Sequence, residues 1–174
     1  LSRLMQRLYI QGLPVAVPLA DSYGVRIHAL ADKPAQFAPR LAGSSPMQPN
    51  VAQATQMGAA LAQLHLALEH DPLPQEHTQK TEYSPVWWES SKDELKPSLP
   101  LEDQLLLDQV FEKFAEAKQR YPQLPQGLIH GDVFRDNTLF VGDDLSAILD
   151  FTTVTYDDWL MDIAITINDF CTHY

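Results

Sequence analysis

The stretch LIHGDVFRDNTLFVGDDLSAILDF, residues 128–151, constrains the fold more than any other part of the chain. Three short apolar runs read as strands: GLIH closing at His130, NTLFVG, and LSAILD closing at Asp150, with GDD at 142–144 as the turn between the last two. The polar residues therefore gather in loops at the strand ends. Asp132 and Asn137 are separated by a short loop holding Phe134 and Arg135, and Asp150 ends the strand that follows the hairpin. That arrangement can bring three oxygen-bearing side chains to one end of a small sheet, a donor set suited to a hard divalent cation, with Mg²⁺ expected. Asp and Asn also populate turns for conformational reasons alone, so the spacing has to decide between the two readings.

The remainder of the chain reads mostly as helix. Leu1, Leu4, Met5 and Leu8 form an amphipathic stripe that Gly12 and Pro14 close. VRIHAL and AQFAPR flank a turn at Asp32, Lys33 and Pro34, which predicts an antiparallel hairpin. LAGSSPMQPN, residues 41–50, breaks both periodicities and is either a linker between lobes or an ordinary surface loop. From Met57, the residues Ala60, Leu61, Leu64 and Leu68 mark a helix stopped by Asp71-Pro72; His65 beside this stripe is assigned no chemistry. TEYSPVWWESSKDELKP has no clean period, and Trp87 and Trp88 are expected to pack on different surfaces. Residues 101–120 carry Leu105, Leu106, Val110, Phe111, Phe114 and Ala117, with acidic residues early and basic ones late, as the helix dipole favours. Leu160, Ile163, Ala164, Ile167 and Phe170 predict a last helix, with Asp157 and Asp158 at its N-terminus.

Composition removes whole classes of function. Twelve Lys and Arg against 23 Asp and Glu give a net charge of -11, which repels phosphate backbones and argues against a nucleic-acid partner. No apolar run approaches the roughly 18 residues needed to span a bilayer, so no membrane role is expected. A single cysteine, Cys171, excludes an internal disulfide, and with no leader pattern a cytoplasmic location is expected.

The spacing H-x-D-x-x-x-x-N followed by a strand-end D-F, here His130, Asp132, Asn137 and Asp150-Phe151, resembles the catalytic and metal loops of protein-kinase-like phosphotransferases. HGD in place of HRD, and no Gly after DF, resembles the small-molecule branch that includes aminoglycoside phosphotransferases and choline kinases. HGDVFRDNTLF, LSAILDF and DDWLMDIAITINDFC are most similar to bacterial homoserine kinases of that branch, and QGLPVAVPLA, DKPAQFAPRLAG and the WW pair extend the likeness over most of the chain.

The resemblance implies a protein-kinase-like α+β fold: residues 1–40 as the end of a small lobe, 41–50 as the hinge and 51–174 as part of a mostly helical catalytic lobe. It implies ATP and Mg²⁺ as cofactors and homoserine O-phosphorylation, in threonine biosynthesis, as the activity. An aminoglycoside or amino-alcohol acceptor, or a non-catalytic interaction module, is the alternative. Asp132 is then the carboxylate that accepts or orients the acceptor hydroxyl proton, Asn137 and Asp150 hold the metal, and His130 braces the loop. The hinge backbone at Arg40, Leu41 and Gly43 faces the nucleotide. Arg135 meets either a phosphate oxygen or Asp136, with Asp136 favoured. Of Asp157 and Asp158, one caps the helix and the other is a candidate for a substrate ammonium. Asp162 either braces the catalytic loop or is an exposed helix residue. With no G-x-G-x-x-G among seven glycines and no upstream strand lysine, the expectation is a kinase shortened at both ends that is inactive as it stands.

Overall fold

The computed structural model describes residues 1–69 and 85–172. Its elements, in order, are α1 (Ser2–Ile10), β1 (His28–Leu30), β2 (Lys33–Ala35), α2 (Val51–Leu68), α3 (Pro85–Leu95), α4 (Leu101–Arg120), β3 (Gln126–Ile129), β4 (Thr138–Val141), β5 (Asp144–Ile148), β6 (Thr155–Asp158) and α5 (Trp159–Phe170). Three antiparallel strand pairs form, β1 with β2, β3 with β6, and β4 with β5.

The N-terminal hairpin turns more tightly than its sequence predicts. Ala31 and Asp32 alone make the turn, both at positive φ (50° and 60°), the two-residue geometry that matches strand twist. Lys33 and Pro34 belong to β2, so a strand lysine does precede the linker, at the exposed turn end. On α1, Leu4, Met5 and Leu8 are buried. They join Leu13 and Val15 in the same apolar cluster as Met57, Leu61, Leu64 and Leu68 of α2, together with Leu128, Val133, Ile148 and Phe151 around the polar loops. Ile148 N donates to Pro14 O at 2.7 Å, so the chain after α1 runs beside β5. No gap in packing separates α1 from the helix that follows the linker.

Helix α2 begins before the apolar stripe does. Asn50 accepts from Gln53 N, and the Gln53 side chain accepts from Asn50 N, a reciprocal cap that starts the helix at Val51. The stop expected at Asp71-Pro72 lies outside the described residues. The stretch read as aperiodic contains α3, whose Trp88 packs edge-on against Phe114 of α4 at 5.7 Å.

Two helices overturn the faces read from their apolar residues. Helix α4 spans the predicted residues, yet Leu105, Leu106 and Val110 are exposed and none of its residues is buried. In α5 the stripe is reversed. Leu160, Ile163 and Ile167 face outward, while Asp162, Thr166 and Asp169 are buried with Phe170. Ile163 and Ile167 of α5 and Gly58, Leu61 and Leu66 of α2 border an apolar groove of about 530 Å³. The inward face turns polar because the loops it meets offer main-chain N–H groups that need acceptors.

Candidate functional site

Strand β3 delivers His130 and Asp132 to the loop beneath α5. Asp162, fully buried, receives this loop: its Oδ2 accepts from His130 N at 2.9 Å and its Oδ1 from Gly131 N at 2.8 Å. His65 Nε2 lies 2.9 Å from the same Oδ2, and its ring stacks on Trp159 at 5.3 Å. The reading of Asp162 as an exposed helix residue is thereby excluded. His65, given no chemistry from sequence, is a buried partner of the carboxylate that holds the loop.

Gly131 sits at φ 80°, and a Cβ there would approach Thr153 O to 2.8 Å. That close approach lets the loop lie against the Phe151–Thr153 turn, where Thr153 Oγ1 donates to His130 O at 2.8 Å. The His130 ring is buried in the apolar cluster beside Phe151. Its Nε2 meets Leu149 O at 2.8 Å, so that nitrogen carries the proton and donates; Nδ1 accepts from Asp132 N at 3.3 Å. Burial lowers the ring's pKa below the ordinary histidine value, against the pull of Leu149 O and nearby carboxylates, which favours the neutral form these two bonds require. The imidazole is a fixed strut.

Asn137 closes the loop onto its own beginning, with Nδ2 donating to Asp132 O at 2.9 Å and to Asp132 Oδ2 at 2.7 Å. Leu149 N donates to Asn137 O at 2.8 Å, which brings Asp150 next to this loop. Asp150 is exposed in the left-handed region (φ 52°, ψ 73°), and its Oδ1 accepts from Thr152 N and Oγ1 at 3.2 and 2.5 Å. Among the described residues no three His, Cys, Asp or Glu side chains converge as a metal cluster. The oxygen donors here are instead one carboxylate, Asp150, and one amide carbonyl, Asn137, whose NH₂ end is used on Asp132. That set fits Mg²⁺, which takes one or two protein oxygens and fills its shell with phosphate and water.

On the other side of Asp132 lies a pocket of about 460 Å³, walled by Trp88, Ile129, Phe134, Met161 and Ile165 and reached by Asp132, Asp157, Thr153 and Thr155. Asp157, on β6, is half-buried, and burial raises its pKa above the carboxylate value, assisted by neighbouring Asp158 and Asp162. Asp158 occupies the N-cap position of α5 without capping through its side chain. It takes Lys118 Nζ at 2.5 Å and Gln126 Nε2 at 2.8 Å instead. Its burial pushes the pKa up, but these partners outweigh that and hold it low. The two adjacent carboxylates therefore differ: Asp158 has its cation, and Asp157 faces the pocket.

Arg135 does not pair with Asp136. Its main-chain N donates to Asp169 Oδ2 at 2.6 Å, its Nε lies 3.6 Å from Asp169 Oδ1, and a guanidinium NH₂ donates to Met47 O at 3.0 Å. The linker residues sit nearby. Ser44 pairs with Phe140 of β4 through both main-chain bonds, and Ala42 O accepts from Ser146 Oγ. Gly43, at φ 113°, passes so near Phe140 O that any Cβ would meet it at 2.7 Å. Arg40 is exposed and Leu41 half-buried just before this pinned stretch.

Sequence reasoning missed His65, Asp169, Trp88 as a pocket wall, and strand β6. For Asp169 a signal existed: Asp162, Thr166 and Asp169 recur at i, i+4 and i+7, a polar stripe at helical spacing opposite the apolar one.

The family model described as "Phosphotransferase enzyme family" matches residues 2–174. The homoserine kinase of Janthinobacterium sp. (strain Marseille) is 36% identical over 170 residues, covering 97% of this chain and 52% of that protein. The homoserine kinase of Polaromonas naphthalenivorans (strain CJ2) is 35% identical over 170 residues with the same shares. The chain thus spans about half the length of these relatives. Among solved structures, amicoumacin kinase hAmiN superposes with a TM-score of 0.67 at 19% identity, over 94% of this chain and 50% of that one. That likeness places the chain in the protein-kinase-like fold of the small-molecule phosphotransferases.

Proposed function

The chain belongs to the phosphotransferase enzyme family, and from that premise we propose that it is the catalytic portion of a kinase that transfers the γ-phosphoryl group of ATP to the hydroxyl of homoserine. The observation that carries this reading is that Asp132 reaches the same small pocket as Asp157, a carboxylate whose neighbour Asp158 holds the nearby lysine. A phosphoryl acceptor must present a hydroxyl to one carboxylate, and an amino-acid acceptor brings an ammonium that pairs with the other. The identity of 35–36% to homoserine kinases supports the same acceptor.

In this reading Asp132 accepts the hydroxyl proton or fixes the hydroxyl in line with the transferred group. Its main-chain position is set by the chain of bonds from His65 through Asp162 to His130 and Gly131, so little reorganisation remains at the moment of transfer. Asn137 holds the Asp132 carboxylate through its NH₂ group, and its carbonyl, with Asp150, would hold Mg²⁺. Bound Mg²⁺ supplies charge neutralisation of the nucleotide phosphates. The main chain at Arg40, Leu41 and Gly43 would offer hydrogen bonds to the adenine of bound ATP, with residues 1–40 taken as the end of a small lobe and residues 51–174 as the catalytic lobe. The apolar pocket walls exclude the water that would otherwise compete as acceptor.

A panel of hydroxyl acceptors with the full-length protein and Mg·ATP tests the proposal. Homoserine is expected to give the highest kcat/KM; faster turnover of choline or an aminoglycoside would overturn the acceptor and leave the reaction class standing.

A further inference from the structure

The linker at 42–50 is bonded along its length to the half of the molecule that carries Asp132. Ser44 is paired with Phe140, Ser45 Oγ donates to Asp136 O at 3.3 Å, Met47 O receives Arg135, and Asn50 Nδ2 donates to Asp143 Oδ1 at 2.8 Å. A connection stitched down in this way does not flex between two bodies. It belongs with the body it is bonded to.

Arg135 occupies the middle of this seam. A loop arginine five residues beyond the histidine of the catalytic loop is placed where a phosphate ligand would be sought, but its guanidinium is already held on two sides. Asp169 takes its main-chain N–H and faces its Nε, and Met47 O takes an NH₂ group. Three elements therefore meet at one side chain: the linker, the catalytic loop and α5. The planar guanidinium suits this joint because its donors diverge in a fixed fork, reaching a carboxylate on one edge and a carbonyl on the other.

We infer that Arg135 is a positioning residue, locking the linker that borders the nucleotide to the loop that carries Asp132, and is not a ligand of the transferred phosphate. The inference deepens the phosphotransferase reading and rests on it for its kinetic consequences. Releasing the joint loosens the linker, where nucleotide binds, more than it disturbs Asp132, which Asp162 and Asn137 hold independently.

The test compares Arg135→Ala, Arg135→Lys and Asp169→Asn in the full-length protein, by steady-state kinetics and by amide hydrogen exchange. For Arg135→Ala, KM for ATP is expected to rise about five- to twentyfold with kcat within about threefold of the parent. Exchange at residues 42–50 should speed by about tenfold while that of α2 stays unchanged, which also certifies the fold. Arg135→Lys, keeping the charge but unable to reach both acceptors at once, should match Arg135→Ala in exchange. Combining Arg135→Ala with Asp169→Asn should add less than the product of the single effects. A fall in kcat of about a hundredfold or more with KM unchanged, largely restored by Arg135→Lys, would make Arg135 a phosphate ligand and overturn the inference; so would unaltered exchange at 42–50. Failure of the protein to phosphorylate any hydroxyl acceptor would sink the proposed function, while the exchange measurement would still decide the joint.

Discussion

Asp157 sits where its own charge is disfavoured: burial raises its pKa, and carboxylates flank it. A group whose folded pKa lies above its unfolded value stabilises the fold below the unfolded pKa and loses that contribution as pH rises through the folded one. Once ionised, the side chain therefore strains the ligand-free protein. Asp157→Asn should raise Tm at pH 7 and at the same time raise KM for homoserine at least tenfold, a trade of stability against binding that thermal melts and kinetics read separately. A lower Tm together with unchanged KM would assign Asp157 a structural role. His130 runs the other way. Its folded pKa is depressed, so stability is full above about 6.5 and falls as pH drops toward the folded value, where the buried ring must gain a proton. Urea melts at pH 7.5 and 5.5 should show the loss, and His130→Gln should flatten it. Asp132→Asn, with the loop bonds otherwise intact, should lower kcat by roughly 10² to 10⁴ and leave ATP affinity nearly unchanged. Near-normal turnover would mean that the base is elsewhere.

At the scale of elements, α5 shows what an apolar stripe can and cannot say. The spacing of Leu160, Ile163, Ile167 and Phe170 announces a helix correctly, but burial of a face depends on what that face meets, and only Phe170 of these is fully buried. The inward face carries Asp162 and Asp169 because the catalytic loop presents three main-chain N–H groups there with no strand or helix partner of their own. Local pattern holds no record of those distant donors. For the same reason the hairpin β4–β5 was legible from its alternating residues and GDD turn, whereas β6 was not: TYDD has no apolar alternation and forms a strand only because β3 lies alongside it. The loop motif was legible as spacing; the pairing of Arg135 with Asp169, 34 residues away, instead of the adjacent Asp136 was not. Energetically the two faces of α5 should separate cleanly. Asp162→Ala leaves two buried main-chain donors and His65 unmatched and should cost about 3 kcal/mol or more, while Leu160→Ser on the outward face should stay within about 0.5 kcal/mol. Equal costs in urea denaturation would contradict the burial described.

Over the whole molecule, charge and nucleotide affinity are in tension. The 174 residues carry a net charge of -11, and Asp132, Asp150 and Asp157 lie around the region assigned to phosphates and acceptor. A tetra-anionic nucleotide approaching that surface needs Mg²⁺ on one side and protein cations on the other. Of the basic residues near the site, Arg135 is bound to Asp169 and Met47, and Lys118 to Asp158. Lys33 stands at the exposed end of a two-stranded hairpin, and no G-x-G-x-x-G run exists in the chain to wrap phosphates with main-chain N–H groups. On the proposed reading these residues supply one wall: a pinned linker, two oxygen donors for a cation and a fixed Asp132. One wall positions a nucleotide without enclosing it, and most of the electrostatic gain of phosphoryl transfer comes from enclosure. The 174 residues taken alone should therefore bind Mg·ATP no more tightly than about 1 mM, roughly 4 kcal/mol, by calorimetry. They should release no ADP above background with or without homoserine. ADP production by this chain that vanished in Asp132→Asn would show instead that a single wall assembles the transition state, and that the loops held by α5 need no cover.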